Sequence, residues 1–363
     1  MTRIDVAIIG AGVTGLASAL AIAERGHSVC VLERHPRAGL VTSTHNSGVI
    51  HAGLYYPPGS LKAQLCVTGR RMLYSFCARH GVPHARCGKL VVATDVAEIP
   101  TLEALHRRGA ENGAEGLDLI DGSAVKRREP AIRAIAALLS PESGIVNAEA
   151  LVKALLRAGE AAGAVFLPGT ALAGADRDPD GMVLRTDREA ILARIVVNAA
   201  GLYADDVSTL LGGERFTIYP CRGEYAELTP VKRVLVHALV YPVPEQSGHG
   251  LGVHLARSTG GDVWIGPTAR FQERKDDYET NRAPIGSFLE PTQRLLPSVT
   301  LGDIRLSGSG IRAKLHPASE SFADFLIRRD RENPAIIQAA GIDSPGLTSC
   351  LAIGAHVSEM VGA

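Results

Sequence analysis

Three glycines near the start of the chain constrain its fold more than any other feature. The apolar segment Ile4–Ile9 runs into Gly10, Gly12 and Gly15 in the pattern Gly-x-Gly-x-x-Gly, and a small-residue apolar stretch follows. This order predicts a strand, a tight turn and a helix, with a second strand at Ser28–Leu32. In such a unit the first glycine permits the turn, the second lets a pyrophosphate approach the backbone, and the third lets the helix pack closely on the strand. The predicted dinucleotide loop comprises Gly10, Gly12, Val13, Thr14 and Gly15.

An acidic residue ends the second predicted strand. Glu33 lies 18 residues beyond Gly15, where a carboxylate can accept hydrogen bonds from both hydroxyls of an adenosine ribose. A carboxylate disfavours a 2′-phosphate, although the adjacent Arg34 keeps NADP open. A strand-to-helix turn without a ligand would not need this acid, so the segment favours dinucleotide binding.

The same segment also resembles a secretion signal. Val6–Ala23 carries no charge and contains small-residue triplets of the kind that signal peptidases cleave. That interpretation leaves the three glycines unexplained, and Asp5 stands where a positive charge is expected. We therefore expect the segment to stay in the fold of a cytoplasmic protein, with a peripheral contact at the inner face of a membrane left open.

Composition excludes several classes of protein. The chain of 363 residues has 38 basic and 38 acidic side chains, so no basic excess exists to bind nucleic acid. The six cysteines show no Cys-x-x-Cys spacing, which argues against a zinc site or a dithiol redox motif and fits buried thiols in a reducing compartment. We expect no metal site and no transmembrane segment.

Later segments favour FAD over a nicotinamide cofactor. The apolar run Ala193–Val197 leads into a small-residue turn, and no second Gly-x-Gly-x-x-Gly unit follows it. Near the end, a predicted strand at Ile336–Ala340 is followed by a glycine-containing loop and an apolar helix to Met360. The positive end of that helix could face the part of a flavin ring that gains negative charge on reduction.

Seven segments carry a resemblance to a known family. They are Asn46–Tyr56, Pro58–Ala63, Arg222–Tyr225, Tyr241–Pro244, Leu251–His254, Gly266–Pro267 and Gly310–Arg312. On these residues the chain resembles the FAD-dependent oxidoreductases of the glycine/D-amino-acid oxidase superfamily. Within it the chain is most similar to L-2-hydroxyglutarate dehydrogenase/oxidase, with glycerol-3-phosphate oxidase more distant. The chain departs from the family pattern at His45, often arginine, at Ala313, often proline, and in a short polar loop at 245–250.

The resemblance implies non-covalently bound FAD and a set of residues around it. Besides the glycine-rich loop, the expected FAD-binding residues are Glu33, Arg34, Thr44, His45, Asn46, Ser47, Gly48, Ala199, Ala200, Gly201, Gly310, Arg312, Gly341, Ser344, Gly346, Leu347 and Thr348. A covalent link through His45 is a less favoured alternative.

We predict an α/β fold with two domains. The first is a discontinuous Rossmann-like FAD-binding domain of residues 1–86, 144–213 and 303–363, and the second is an α+β substrate domain of residues 87–143 and 214–302 built on an antiparallel sheet. Predicted strands of this sheet are Arg215–Leu228, Val234–Val243, His249–Ala256 and Asp262–Pro267. Predicted helices are Ser60–His80, Ala97–Gly113 and Ala148–Ala162, and Pro179–Gly181 is predicted to be a hairpin turn.

Oxidation of a 2-hydroxy acid at a flavin needs a base for the hydroxyl proton and an acceptor for the hydride. His51 and His254 stand in apolar, glycine-flanked contexts and are candidates for the base or for a substrate contact, although a single histidine on a strand is more often structural. Arg312 and Arg222 could bind the substrate carboxylate through the guanidinium fork, or form ordinary ion pairs. Tyr56 and Lys62 could hold a second carboxylate.

The expected activity is therefore FAD-dependent oxidation of a small 2-hydroxy acid, similar to L-2-hydroxyglutarate, to the 2-oxo acid. An amine or D-amino-acid oxidase of the same superfamily is the alternative, and a non-catalytic nucleotide-binding module is a third. Oxygen, a quinone or an electron carrier could accept the electrons. The sequence does not indicate an oligomeric state.

Overall fold

The computed structural model describes residues 2–244 and 252–362. Its strands are β1 Thr2–Ile9, β2 Val29–Glu33, β3 Val49–Ile50, β4 His84–Ala85, β5 Lys89–Ala93, β6 Asp118–Asp121, β7 Ala136–Ser140, β8 Gly144–Val146, β9 Val165–Pro168, β10 Leu172–Asp178, β11 Gly181–Thr186, β12 Ala190–Asn198, β13 Tyr219–Leu228, β14 Leu239–Pro242, β15 His254–Arg257, β16 Val263–Gly266, β17 Arg270–Phe271, β18 Ile304–Lys314, β19 Leu326–Arg329 and β20 Ile336–Ala340. Its α-helices are α1 Val13–Ala23, α2 Leu61–His80, α3 Ile99–Glu111, α4 Gly122–Arg128, α5 Ala148–Ala161, α6 Ala204–Leu210, α7 Leu289–Leu295 and α8 Gly346–Gly362.

The predicted βαβ unit forms the centre of the first sheet. β1 lies between β2 and β12 and is parallel to both, with Val6 opposite Val29 and Ile195. β20 extends the parallel part of the sheet beside β12, and the hairpin of β10 and β11 adds antiparallel strands at one edge. The hairpin turn predicted at 179–181 is confirmed.

Close helix packing explains the small residues of the leading segment. α1 packs against α8, α5 and the sheet in one apolar cluster. A side chain at Gly15 would overlap the carbonyl of Gly10, and one at Gly354 would overlap the carbonyl of Ala17. Both positions therefore require glycine, because the backbones approach too closely there for a side chain. This is the role that the sequence pattern predicts for Gly15.

A second, mostly antiparallel sheet of nine strands carries the predicted substrate-binding segments. Its order is β17-β13-β16-β15-β14-β5-β7-β6, and β18 pairs with β13. The pair β14 and β5 is parallel. A separate apolar cluster around Leu90, Leu255 and Phe288 supports this sheet. The expected α/β fold with a second antiparallel sheet is confirmed.

Most predicted elements form, but two predicted strands are wrong in part. The strand predicted at Arg215–Leu228 begins only at Tyr219. The strand predicted at Val234–Val243 is confined to Leu239–Pro242, because Pro230–Leu235 forms a 3-10 helix with proline in its first turn. Part of the strand predicted at His249–Ala256 lies outside the described residues, and β15 begins at His254.

One predicted domain boundary conflicts with the strand pairing. Residues from 303 onward were expected to belong to the FAD-binding domain, yet β18 pairs with β13 from Tyr219 opposite Lys314 to Leu228 opposite Ile304. The chain therefore returns to the first sheet only at β19 and β20. Long-range pairing of this kind leaves no signal in the sequence of β18 itself. The other domain boundaries stay predictions.

None of the helices within the described ranges has the length and apolar character needed to cross a bilayer.

Candidate active site

A cavity of about 660 Å³ runs between the two sheets. It extends from the start of α1 to the start of α8 and reaches strands β13, β15 and β18. Predicted site residues that line it are Gly12, Val13, Thr14, His45, Asn46, Ser47, Gly48, His51, Tyr56, Lys62, Ala199, Gly201, His254, Gly310, Arg312, Ser344, Gly346, Leu347 and Thr348. The tertiary structure thus brings together residues that are far apart in the chain.

Eight predicted site residues do not line the cavity. They are Gly10, Gly15, Glu33, Arg34, Thr44, Ala200, Arg222 and Gly341. Glu33 is buried, and its carboxylate accepts hydrogen bonds from the amides of Ala11 (2.9 Å) and His35 (2.9 Å). The guanidinium of Arg34 lies 3.7 Å from the centroid of the Tyr203 ring. A ribose contact by Glu33 stays a prediction, and in the structure its carboxylate binds the glycine-rich loop.

The start of α1 offers backbone amides to an anion. Gly12 occupies the N-cap position without a side-chain cap. Within the described residues, the amides of Gly12 and Thr14 have no hydrogen-bond partner, whereas that of Val13 donates to Ser43 Oγ (3.0 Å). Free amides at a helix start attract phosphate oxygens.

The start of α8 forms a second amide-rich end of the cavity. The amides of Leu347 and Thr348 also have no partner in the described part of the chain. Thr348 fixes the adjoining loop, because its hydroxyl accepts a hydrogen bond from the amide of His51 (3.0 Å) and donates to the carbonyl of Val49 (3.3 Å). This end of the cavity can stabilise negative charge on a ring placed there.

The loop before β3 closes the cavity between these two helix starts. The side-chain amide of Asn46 donates to the carbonyls of Thr42 (3.0 Å) and Ser43 (2.8 Å), and its oxygen accepts from Gly48 N (2.9 Å). Gly310 on β18 is needed here, because a side chain would overlap the carbonyl of His45. The cradle of free amides at both ends therefore fits an elongated dinucleotide such as FAD.

His51 is half-buried at the cavity wall. Its Nε2 lies 3.3 Å from Ser344 Oγ, which lies 3.3 Å from the Tyr56 hydroxyl. Its Nδ1 has no hydrogen-bond partner among the described residues. Burial lowers the pKa of His51 well below its ordinary value, and the charge of Lys89 adds to this effect. The imidazole is therefore neutral at neutral pH.

His254 faces the same cavity from β15. Its Nδ1 lies 3.0 Å from the carbonyl of Gly252, which can only accept, so Nδ1 carries the proton and Nε2 has a free lone pair. Its ring stacks on Tyr241 with centroids 3.7 Å apart. Burial lowers the pKa of His254 to about 3 despite the bond to Gly252, with Lys89 and Arg312 adding to the decrease. His254 is thus a neutral imidazole of defined tautomer.

Arg312 presents a guanidinium to the cavity from β18. Its Nη1 lies 3.4 Å from the carbonyl of Thr268, and within the described residues it forms no ion pair with a carboxylate. Gly223 leaves room for it, since a side chain there would lie 2.9 Å from both terminal nitrogens. The guanidinium fork is therefore available to a bound carboxylate.

Arg222 does not support the predicted role in substrate binding. It is fully buried, and its guanidinium pairs with Glu224 (2.8 Å) and donates to the carbonyl of Thr280 (2.7 Å). The alternation of β13 points its side chain to the face opposite the cavity-lining Gly223. Arg222 is a structural cation in the second sheet.

Lys62 lies at the cavity but is already paired. Its Nζ lies 2.7 Å from Asp343 Oδ1, and Lys314 Nζ lies 3.2 Å from Asp343 Oδ2. Burial alone would raise the pKa of Asp343, but the two lysines hold it below its ordinary value. Two ammonium groups on one carboxylate leave an excess positive charge beside Tyr56.

Several site residues escaped the sequence reasoning. Tyr55, Tyr225, Tyr241, Lys314 and Asp343 line the cavity, and Lys89 lies directly behind it. Tyr55, Tyr241 and Tyr225 stand within or beside segments that carry the family resemblance. For Lys89 the only available signal is a lysine that opens an apolar strand, Lys89–Ala93.

Comparisons with known proteins agree with this geometry. The model of the FAD-dependent oxidoreductase family named DAO matches residues 5–360. L-2-hydroxyglutarate dehydrogenase from Arabidopsis thaliana mitochondria is 36% identical, over 98% of this chain and 83% of the relative. The human mitochondrial enzyme of that name is 33% identical, over 98% and 88%, and that of Escherichia coli K12 is 31% identical, over 98% and 93%.

Solved structures support the same relationship. L-α-glycerophosphate oxidase from Mycoplasma pneumoniae, in its FAD-bound form, superposes with a TM-score of 0.92 at 25% identity, over 100% of this chain and 96% of that one. Glycine oxidase from Geobacillus kaustophilus gives 0.84 at 23% identity, over 100% and 95%, and shows the shared fold. The expected family and the expected cofactor FAD are confirmed: this chain belongs to the DAO family of FAD-dependent oxidoreductases.

Proposed function

We propose that this protein oxidises L-2-hydroxyglutarate to 2-oxoglutarate with FAD. The observation that carries the proposal is the similarity of 31–36% over 98% of the chain to enzymes named L-2-hydroxyglutarate dehydrogenase in a plant and a bacterium. The cavity supports it with the guanidinium of Arg312, which forms no ion pair within the described residues, and with two neutral imidazoles. FAD, when bound, supplies the two-electron acceptor for the hydride.

The two imidazoles provide the proton acceptor for the substrate hydroxyl. Both rings line the cavity, and burial keeps both neutral. The hydrogen bond from Nδ1 of His254 to Gly252 leaves Nε2 free, whereas Nε2 of His51 lies beside Ser344. We propose that one member of this pair takes the proton while the other contacts the substrate.

The charged groups hold the two carboxylates. Arg312 binds the carboxylate next to the reacting carbon, because its fork is free and it lies on the same wall as the proposed cofactor contacts Gly310 and His45. The excess positive charge of Lys62 and Lys314 around Asp343 attracts the second carboxylate. At the two helix starts, the groups proposed to bind FAD are the backbone amides of Gly12, Thr14, Leu347 and Thr348.

Anaerobic mixing with the oxidised holoenzyme tests the proposal. We expect L-2-hydroxyglutarate to bleach the flavin absorbance band and to yield one 2-oxoglutarate per flavin. The D enantiomer, L-lactate, glycerol 3-phosphate, glycine and N-methylglycine serve as comparison substrates. Bleaching by the amino acids alone would establish an amine oxidase instead, and no bleaching by any 2-hydroxy acid would refute the proposal.

Two variants separate the imidazoles. The variants are His51→Gln and His254→Gln. The variant that lacks the base should reduce its flavin about 10²–10⁴-fold more slowly while FAD stays bound. The other should mainly raise the substrate concentration needed for half-maximal reduction. Equal, near-native reduction in both variants would contradict the assignment.

The electron acceptor is a separate question. Comparing the rates at which air and a soluble quinone reoxidise the reduced flavin identifies it. The cytoplasmic location stays a proposal.

A further inference from the structure

Lys89 is a buried cation just behind the cavity wall. It opens β5 and is 1% exposed. Its Nζ lies 3.9 Å from the centroid of the Tyr241 ring and 5.4 Å from that of Tyr55. Because both rings line the cavity, aromatic side chains alone separate this ammonium from a bound substrate.

A continuous row of groups connects Lys89 with the cavity. The imidazole of His254 stacks on Tyr241, with centroids 3.7 Å apart and planes 14° apart. Two groups this close to one ring centroid cannot occupy the same face, so ammonium and imidazole lie on opposite faces of Tyr241. The charge of Lys89 therefore acts on the cavity through a polarisable, water-excluding stack.

No carboxylate of the described residues compensates this charge. Within residues 2–244 and 252–362, Lys89 forms no ion pair. The titratable groups that face it are Cys66 from α2, Cys87 from the preceding segment, the phenols of Tyr55 and Tyr241, and the imidazoles of His51 and His254. Burial raises the pKa of Cys66 to about 12 and raises that of Cys87, so both thiols are neutral.

A buried cation without a counter-ion responds strongly to any anion that enters. Burial lowers the pKa of Lys89 to about 7, against a small opposing effect of Cys66 and Cys87. Near neutral pH the amine is thus close to its midpoint. A dianion beyond Tyr241 favours the charged form.

We propose that Lys89 is a positioning residue that takes up a proton from solvent when a dicarboxylate enters the cavity, and that the resulting ammonium stabilises the bound dianion. The amine gains one proton and one positive charge, and no other bond changes. The inference rests on the proposed function, because it requires an anionic substrate in this cavity.

Calorimetric titration of the oxidised holoenzyme with glutarate tests the inference. Glutarate has both carboxylates but no hydroxyl to oxidise, so binding is measured without turnover. Titrations in phosphate and in Tris, whose ionisation enthalpies differ, give the number of protons taken up. At pH 8 an amine of pKa about 7 is about nine-tenths neutral, so we expect an uptake of about 0.5–0.9 proton per glutarate. At pH 6 about nine-tenths of an amine with pKa about 7 is already charged, so the uptake should fall to about 0.1 proton per glutarate or less.

Two substitutions separate charge from titration. Lys89→Met should remove the proton uptake at pH 8 and weaken glutarate binding about tenfold or more at pH 6. Lys89→Arg keeps a permanent cation, so it should restore most of the affinity without proton uptake. If Lys89→Met does not fold with FAD, the arginine variant alone carries the test. A lysine with only a structural role gives no reason for the proton uptake to vanish in Lys89→Arg while the affinity for glutarate persists.

Lys62→Met is the matched control, because the charge of Lys62 is already paired with Asp343. It should weaken glutarate binding while the proton uptake at pH 8 remains. Glutarate binding to the native enzyme without proton uptake, or uptake that persists in Lys89→Arg, would overturn the inference alone. A native enzyme that does not bind glutarate would overturn the dicarboxylate assignment in the proposed function, and the inference with it.

Discussion

Replacement of Gly12 by valine tests whether the start of α1 holds the FAD pyrophosphate. The backbone of Gly12 has φ −75° and ψ 177°, which any residue can adopt. A side chain there would meet a single atom, Ser43 Oγ, at 2.9 Å. The valine therefore projects toward the cavity without a backbone clash, and the apoprotein should still fold.

The expected loss of affinity follows from the amides that the valine shields. Gly12 and Thr14 offer two N–H groups that have no partner among the described residues, and hydrogen bonds to a charged acceptor contribute about 1.5–3 kcal/mol each. Losing both costs about 3–6 kcal/mol, which weakens FAD binding by about 10²–10⁴-fold. Displacing Ser43 from the amide of Val13 costs the apoprotein only about 1 kcal/mol of stability.

Quenching of flavin fluorescence in apoprotein titrations measures the dissociation constant of FAD. Urea unfolding of the apoproteins measures their free energy of unfolding. Gly12→Ala should fall between the native protein and the valine variant. Gly15→Ala is the opposite control, because a methyl group there overlaps the carbonyl of Gly10 and should prevent correct folding. A Gly12→Val protein that folds and binds FAD within threefold of the native affinity would refute the assigned role of the loop.

Three further predictions concern the second sheet and the cavity. Arg222→Met should destabilise the protein by about 3 kcal/mol in urea unfolding, because it removes the 2.8 Å partner of the buried Glu224 and leaves that carboxylate only the longer ion pair with Arg282 (3.6 Å). Substrate affinity of the folded protein should stay within threefold, and a larger loss of affinity would show that Arg222 contributes to substrate binding. Arg312→Met should raise the KM for a 2-hydroxy acid about 10²-fold or more, and Arg312→Lys should recover part of this; unchanged KM values in steady-state assays would exclude the carboxylate contact. The pKa of His254 is lowered to about 3, against 6.5 in the unfolded chain. Below pH 6.5 the unfolded state therefore binds more protons than the native state. The contribution of the neutral imidazole to the free energy of unfolding is fully present above that pH and is lost as the pH falls. Between pH 7 and pH 5 the native protein should lose about 2 kcal/mol more than His254→Gln in urea titrations, and parallel losses in the two proteins would contradict a neutral, buried imidazole.

Periodicity and glycine spacing sufficed for the elements that form locally. The strand, turn and helix from Thr2 to Ala23 follow from an apolar run and Gly10, Gly12 and Gly15, because tight turns and close backbone contacts admit few other residues. The cofactor class followed from the same segment together with the C-terminal helix, and the family comparison confirms it.

Pairing between distant strands decided what the sequence could not. The register of β18 on β13 turns Arg312 into the cavity, whereas Arg222 on β13 points away from it and meets Glu224. Both arginines stand beside small residues in similar apolar contexts, so no local pattern distinguishes a substrate contact from a buried ion pair. A one-residue change of register would exchange the two faces.

The sequence by itself determined a dinucleotide-binding βαβ start and the need for glycine where backbones touch, and it offered His51 and His254 as candidates for the base. Only the tertiary structure decided which charges stay free. Asp343 neutralises part of the charge at Lys62, while Lys89 lies behind Tyr241 with no ion pair in the described chain. The physical reason is that burial and the distance to a counter-charge set the behaviour of an ionisable group, and both quantities exist only once distant segments have packed together.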